Sequence, residues 1–496
     1  MGLFKTLISY SKDTVVYGLG FGLQKFVGFL LLPLYTRALT PSDYGIIDTI
    51  TAGLLLFTIL IQAGLSNASS LYFYKAGSDE EKGKLLFTLL ILRLLSVVPS
   101  LIISIFSRQI SISLFDTDKY TWMVFISCML IPISLLNDEQ IWIFRFYRKP
   151  WRYNLGTVIK TVGNIFWGLL LVVTLRQGVW GVQMATLASS MMVILYTFLS
   201  FSRKRYVYKF SKYWAKTMLK FGAPFILSLG VTWVFSSADR YFLLHYQNTT
   251  EIGLYSIGFT FARPMQLINM AFGMSFLPFF MSLWEEERDS DKKATKKAAK
   301  NIWYMYLVLT CVLGLFLSIF MAQILPFVTT PQYIMGAVAV PLLIFSGIVR
   351  QSTDMNSPGI GLQEKPLHYV WMTIVVSIVS LGMNFWLIPR MSFLGASISN
   401  LVSNMVYFIL AVSVSQRYFR YDLQIIRATF YFIVNLGLAC LFPIAELKFN
   451  IHFPILLKVS VYFIGLLLPF IFGVIKISEI RLIITTIKNR KNEIPD

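Results

Sequence analysis

Residues 301–322, NIWYMYLVLTCVLGLFLSIFMA, contain no charged side chain and indicate the class of this protein. A helix rises about 1.5 Å per residue, so a run of this length crosses the ~30 Å hydrocarbon core of a bilayer. Similar apolar runs recur from Thr14 to Lys476 in the chain of 496 residues. The sequence therefore predicts an all-α, polytopic membrane protein, because a helix satisfies its own backbone hydrogen bonds in lipid.

The composition agrees with this class. Hydrophobic residues make up 56% of the chain and charged residues 14%, whereas a soluble domain typically carries about 25% charged residues. We predict about fourteen transmembrane helices. They lie near residues 14–35, 46–66, 85–106, 120–140, 152–175, 178–200, 218–239, 252–283, 301–322, 331–349, 366–389, 393–415, 424–445 and 454–475.

The lysines and arginines predict the orientation. Of the 44 basic residues, 32 fall in one alternating set of connections and seven in the other. The set rich in positive charge includes both ends of the chain, so the positive-inside rule puts both termini in the cytoplasm. We therefore interpret the formal net charge of +20 as a topology signal. The same basic residues also contact anionic membrane lipids. No nucleic-acid partner is predicted.

Short matches between the two halves of the chain predict an internal duplication. TPSDYG at 40–45 corresponds to NTTEIG at 248–253, and KPWRY at 149–153 corresponds to KPLHY at 365–369. Six spans separate the copies, so both halves share one orientation, as in transporters with parallel repeats. We predict two six-helix lobes related by an axis along the membrane normal. They occupy residues 1–210 and 211–420, and residues 421–496 add two helices and a cytoplasmic tail.

Two paired motifs resemble a known family. LPLYTR at 32–37 with PSDYG at 41–45, and ADRYF at 238–242 with EIGLYS at 251–256, resemble signatures of the polysaccharide transporters. This family of flippases belongs to a superfamily that includes the lipid II flippases and the multidrug MATE exporters. GAS at 395–397 resembles the opening of the family's twelfth helix.

The resemblance implies a function. The two lobes would surround a cavity that opens alternately to each side, and it would move an undecaprenyl-diphosphate-linked oligosaccharide, such as an O-antigen or capsule repeat unit. It implies a bacterial inner-membrane location, with a polysaccharide polymerase and assembly proteins as further partners. By analogy with the lipid II flippases, the last two spans would form a groove for the lipid tail.

Five basic residues fall inside predicted spans, where a charge is costly unless it faces water or a partner. We predict that Lys25, Arg93, Lys160 and Arg263 line the cavity and bind the diphosphate, because lysine and arginine suit phosphate oxygens. The alternative for each is snorkelling, or pairing that only serves packing. For Lys458 that alternative is favoured.

A second group of charges lies near the outer ends of the spans. The family likeness supports Arg37 as a signature position near the outer mouth. Asp48, Asp239 and Arg240 are further candidates for the outer mouth or for ion coupling. We expect Asp48 and Asp239 to be the only carboxylates within the membrane, and this shortage of acids disfavours the main alternative, a MATE-like exporter of small cations.

The sequence predicts no enzyme. A membrane-embedded glycan polymerase or ligase would need a long outer loop for its catalytic residues, and the predicted outer loops are short. No catalytic residue, cofactor or metal site is predicted. The cysteines at 128, 311 and 440 and the histidines at 245, 368 and 452 lack the spacing of metal ligands.

Overall fold

A computed structural model describes residues 31–200, 206–287, 290–362 and 367–474. The described residues are largely helical and contain no strand. The first ten helices are α1 (Leu32–Ala38), α2 (Pro41–Gln62), α3 (Leu65–Lys75), α4 (Asp79–Leu95), α5 (Val97–Ile105), α6 (Ser107–Phe115), α7 (Thr121–Phe146), α8 (Pro150–Gly168), α9 (Gly178–Ser200) and α10 (Lys212–Tyr246). A π-helical turn, Leu169–Thr174, extends α8.

The remaining helices follow in the second part of the chain. They are α11 (Thr249–Glu286), α12 (Lys293–Ile319), α13 (Met321–Val328), α14 (Val340–Asn356), α15 (Pro358–Leu362), α16 (Leu367–Tyr418), α17 (Ile425–Leu447) and α18 (Ile455–Ile471). A 3-10 segment, Pro331–Ala339, leads into α14.

The prediction of an all-α polytopic protein is confirmed. Within the described part of the chain, eleven helices are long and apolar enough to cross a membrane. One of them, Leu367–Tyr418, contains the predicted eleventh and twelfth spans, and non-helical backbone at Ser392 separates the two. The predicted last span corresponds to the shorter apolar helix Ile455–Ile471. Most of the predicted first span lies outside the described residues.

The predicted second span is broken, which the hydropathy pattern did not indicate. Helix α2 ends at Gln62, and Ala63 and Gly64 take left-handed conformations with φ of 49° and 66°. Gly64 suits this conformation because it has no Cβ, whereas Ala63 adopts it at a cost. Helix α3 then begins at Leu65, so a helix N-terminus lies inside the membrane-crossing segment Pro41–Lys75.

The chain forms two compact units. One contains the described residues up to Ser256 together with Asn384–Phe393, and the other contains Ile257–Met383 and the described residues from Leu394 onward. In the first unit, Leu85, Leu89, Phe73 and Met218 form an apolar cluster that joins α3 and α4 to α10. In the second unit, α12 packs against α14, α17 and α18. The lobe boundary between residues 210 and 211 stays a prediction.

Candidate functional site

The first unit contains a buried ion pair inside the membrane-crossing helices. Arg93 of α4 and Glu139 of α7 have side chains only 1% and 3% exposed, and Nη2 of Arg93 lies 3.3 Å from Oε2 of Glu139. The same Nη2 donates a hydrogen bond of 2.9 Å to Oγ of Ser66 in α3. Arg93, predicted to line the cavity, is therefore buried among helices of its own unit.

The atoms of this pair are poorly satisfied. Nε and Nη1 of Arg93 and Oε1 of Glu139 are buried without a hydrogen-bond partner among the described residues. A buried ion pair is stable when its geometry is good and further hydrogen bonds satisfy its remaining atoms. A single contact of 3.3 Å is long for a charge-assisted bond, which is usually about 2.7–2.9 Å. The arrangement leaves hydrogen-bonding capacity unused on both side chains.

The other predicted cavity cations have separate surroundings. Lys160 of α8 pairs with Asp138 of α7 at 3.1 Å, and both side chains are partly exposed. Arg263 of α11 is half-buried in the second unit, and no carboxylate described in that unit pairs with it. Arg37 is exposed near the end of α1. Lys25 lies outside the described residues.

The structure brings together three of the outer-mouth candidates. Nε of Arg240 lies 3.1 Å from Oδ2 of Asp48, and its Nη1 lies 2.7 Å from Oδ1 of Asp239. The hydroxyl of Ser256 donates to Asp48 at 2.6 Å, and that of Tyr255 donates to Asp239. Two carboxylates thus share one guanidinium, and the cluster joins α2 to α10 and the start of α11.

Next to this cluster, the two segments that match each other in sequence, residues 40–45 and 248–253, contact each other. A Cβ added to Gly45 would overlap the carbonyl oxygen of Thr249, and one added to Gly253 would overlap that of Pro41. Ser42 and Thr249 are also joined by a hydroxyl–hydroxyl hydrogen bond of 2.7 Å. Positions 41 and 249, like 45 and 253, differ by 208 residues, so the two TPSDYG-like segments contact each other through equivalent positions.

The expectation that Asp48 and Asp239 are the only intramembrane carboxylates is wrong. Glu139 pairs with Arg93, and Glu446 of α17 pairs with the fully buried Lys458 of α18 at 2.6 Å. For Lys458 the sequence favours snorkelling or pairing over a place in the cavity. The structure shows that it is paired. Glu139 was overlooked because it stands at the end of the predicted fourth span, beside the charged residues of the next connection.

Metal chemistry has no site in the described part of the chain. No group of three His, Cys, Asp or Glu side chains there could hold a metal ion. All three cysteines are free, and Cys128 and Cys311 are buried. Cys128 packs with the apolar side chains of Ile46, Ile50 and Met123, as expected of a small core residue.

The second unit contains a small apolar groove of about 190 Å³. Trp303 of α12, Phe408 of α16, and Ala428 and Phe432 of α17 contribute to its lining. Its walls are therefore suited to a hydrocarbon chain rather than to a sugar or a phosphate.

Comparison with known proteins adds a family match. A family model described as a polysaccharide biosynthesis protein matches residues 34–293, which is slightly more than half of the chain. Protein 1 of the Lsg locus of Haemophilus influenzae is 24% identical over 282 residues, which cover 56% of this chain and 67% of that protein.

Two solved structures have a similar fold. The lipid II flippase MurJ, in an inward closed conformation, matches with a TM-score of 0.68 and 15% identity, over 92% of this chain and 98% of MurJ. An inward-facing multidrug resistance transporter of the MATE family matches with a TM-score of 0.61 and 16% identity, over 82% of this chain and 97% of the transporter. At these identities the likeness shows the fold alone.

Proposed function

Because the chain belongs to the polysaccharide biosynthesis protein family, we propose that it is a flippase for an undecaprenyl-diphosphate-linked oligosaccharide. The cargo is a repeat unit of a surface polysaccharide such as O-antigen or capsule. The family match is the observation that carries this proposal, and the similarity in fold to a lipid II flippase agrees with it. The chain is a transporter rather than an enzyme, and a polymerase and assembly proteins use the unit after it has crossed.

The proposed mechanism is alternating access between the lobes 1–210 and 211–420. The diphosphate carries the negative charge of the cargo, so the path needs cations that are not already neutralised. Arg263 best meets this condition among the described candidates, since it is half-buried and unpaired in its own unit. Its planar guanidinium can contact two phosphate oxygens at once.

The lipid tail has a separate place in this proposal. An undecaprenyl chain is a long hydrocarbon, and the groove lined by Phe408, Ala428 and Phe432 offers an apolar surface next to the thirteenth span. We assign one segment of the tail to this groove, while the diphosphate is held by cationic side chains. The two additional helices of residues 421–496 would then serve the lipid rather than the sugar.

Two alternatives are tested by the same assay. The similarity to a MATE exporter keeps a cation exporter as the second candidate. A shortage of acids within the membrane disfavours such an exporter, but the buried carboxylates Glu139 and Glu446 weaken that argument. In proteoliposomes, the purified protein should expose a fluorescently labelled undecaprenyl-diphosphate-linked oligosaccharide on the opposite leaflet. It should leave the gradient of a cationic dye unchanged. Dye export without movement of the lipid would contradict the flippase proposal and favour a cation exporter.

The family match and the short outer connections disfavour the enzymatic alternative, a glycan polymerase or ligase. Between membrane-crossing helices, the longest connection on the predicted outer side runs over residues 106–120, and helix α6 fills most of it. That leaves little chain for a catalytic domain. An increase in glycan chain length in the same proteoliposome assay would favour the enzyme.

Substitution of Arg263 by glutamine should reduce transport of the lipid-linked oligosaccharide. Glutamine keeps the polarity and removes the charge, and a lost charge-assisted contact is worth about 1.5–3 kcal/mol, or roughly tenfold to a hundredfold in affinity. Transport and binding should fall while the amount of protein in the membrane stays normal. Arg263→Lys should recover only part of the activity, because lysine cannot form the bidentate contact. Normal transport by Arg263→Gln at normal abundance would remove Arg263 from the binding site.

The proposed location is the bacterial inner membrane, with both termini in the cytoplasm. Cysteines introduced at Ser42 and Lys448 should react with an impermeant thiol reagent in intact cells. A cysteine at Lys212 should react only after the cells are opened. The native cysteines, all in membrane-crossing helices, should be replaced by alanine first. The reverse labelling pattern would contradict the orientation.

A further inference from the structure

The break in the second span creates a helix N-terminus in the membrane. Helix α3 starts at Leu65 after two left-handed residues, and no side chain caps its N-terminus. The first turn contains no acidic residue. In α3 the N–H of Asn67 already donates to the carbonyl of Gly64 at 3.1 Å. The first N–H groups of a helix carry a partial positive charge, so they attract anions.

A buried arginine reaches the same turn. Arg93 donates through Nη2 to the hydroxyl of Ser66, the second residue of α3. Its Nε and Nη1 have no partner among the described residues although the side chain is 1% exposed. Two independent features, an uncapped helix N-terminus and an under-satisfied guanidinium, thus meet at Ser66. Both are donors for an anion.

The anion present at this place is the Glu139 carboxylate. It contacts Arg93 through one oxygen at 3.3 Å, and its other oxygen, Oε1, is unpartnered. Because Nε and Nη1 of Arg93 and Oε1 of Glu139 are unsatisfied, an anion that contacts more of the arginine's donors can compete with the carboxylate.

The surrounding charges make Glu139 the group that takes up a proton when the ion pair with Arg93 is broken. Besides Arg93 of α4, the charge that acts on it is its neighbour Asp138, which pairs with Lys160 of α8. Tyr206, in the connection before α10, hydrogen-bonds to Gln140 rather than to Glu139. A carboxylate separated from Arg93 would thus have no other described cation beside it, and it would take up a proton because an unpaired buried charge is costly.

The polar start of α3 is partly exposed at the surface of the unit. Ser66 is half-buried and Asn67 is exposed, and the amide of Gln62 donates to the Ser66 hydroxyl at 2.7 Å. Gln62 ends α2 and Ser66 opens α3, so this hydrogen bond crosses the helix break.

We propose that the break in the second span is a binding site for phosphate oxygens, formed by the N-terminus of α3, Ser66 and Arg93, with Glu139 as the anion that phosphate displaces. The assignment of the phosphate to the diphosphate of the cargo rests on the proposed function. Displaced Glu139 takes up one proton from the buffered solvent, so the diphosphate and a proton bind together. By reciprocity, each then strengthens the binding of the other.

Opposite effects of the two partner substitutions test this site. In nanodiscs of neutral lipid, Arg93→Gln should weaken the binding of undecaprenyl diphosphate about tenfold to a hundredfold, because two donors are lost. Glu139→Gln should tighten it about tenfold, because the competing carboxylate is gone. A pair that serves only packing predicts no gain in affinity from either change. Arg93→Lys provides a second variant if Arg93→Gln does not fold, and its affinity should lie between those of wild type and Arg93→Gln.

The pH dependence is a second readout. Binding by the wild type takes up a proton, so its affinity should fall as pH rises, by at most about tenfold per pH unit. Glu139→Gln lacks this proton uptake, so its affinity should not fall as pH rises. The matched control is Glu446→Gln at the other buried pair, whose well-formed 2.6 Å contact with Lys458 lies in the second unit. It should leave both the affinity and its pH dependence as in the wild type.

Inorganic pyrophosphate separates the possible sources of phosphate. Tightening by Glu139→Gln for both pyrophosphate and the lipid supports the site and its cargo. Tightening for pyrophosphate with no binding of the lipid supports the phosphate site but contradicts the flippase proposal. Binding of the lipid with an affinity that Glu139→Gln does not raise overturns the site and leaves the flippase proposal intact.

Discussion

Replacement of Arg240 by glutamine is expected to reduce the free energy of unfolding by about 3–5 kcal/mol, the usual cost of removing one partner from a buried ion pair. Arg240 is the shared cation of two carboxylates, at 3.1 Å from Asp48 and 2.7 Å from Asp239. Without it, the two acids would repel each other in a mostly buried place. Their hydrogen bonds from Ser256 and Tyr255 would remain but cannot supply the missing charge.

The unfolding midpoint of the purified protein in detergent measures this effect. The double variant Arg240→Gln with Asp239→Asn should recover part of the loss, because one stranded charge is removed. Arg108→Gln is the control, since Arg108 pairs with Asp118 at 3.6 Å with both side chains mostly exposed. Such surface pairs contribute about 0–1 kcal/mol. Equal destabilisation by Arg108→Gln and Arg240→Gln would show that the buried cluster has no special role in stability.

The membrane helices could be predicted because their cause is local. An apolar run long enough for the bilayer needs no information from elsewhere in the chain, and thirteen of the fourteen predicted spans coincide with described helices. The left-handed pair Ala63–Gly64 was missed because hydropathy does not report backbone conformation. Ser392, with φ of 52° and ψ of -133°, separates two spans that were predicted separately.

The charged sites depended on partners that the sequence does not reveal. Asp48 and Arg240 were predicted as candidates on one surface, and the structure brings them together although they are 192 residues apart. The pairing of Arg93 with Glu139, 46 residues away, was not predicted. A hydropathy window treats Glu139 as the end of a span, whereas only the packing of α4 on α7 shows that it is buried. The sequence contained one signal for this pair, because Arg93 lies inside a predicted span without a predicted acid partner.

Alanine at Gly253 is expected to destabilise the protein, whereas alanine at Gly230 is expected to be neutral or stabilising. A Cβ at Gly253 would overlap the carbonyl oxygen of Pro41, which belongs to backbone and cannot rotate away. A Cβ at Gly230, in the middle of α10, would meet no heavy atom within 4 Å. Both positions are helical, so alanine gains up to about 1 kcal/mol of helix propensity at each. The difference between the two variants therefore measures the backbone contact.

Overpacking typically costs about 1–3 kcal/mol, and we expect the upper end at Gly253 because backbone must move. Gly45→Ala should behave alike, since Gly45 faces the carbonyl of Thr249 in the equivalent contact. The two substitutions separate the same pair of segments, because each places a Cβ against the backbone of the other segment. Their effects on the unfolding midpoint should then be similar singly and less than additive together. Additive effects, or a Gly253→Ala variant as stable as Gly230→Ala, would mean that the TPSDYG-like segments do not form this contact in the folded protein.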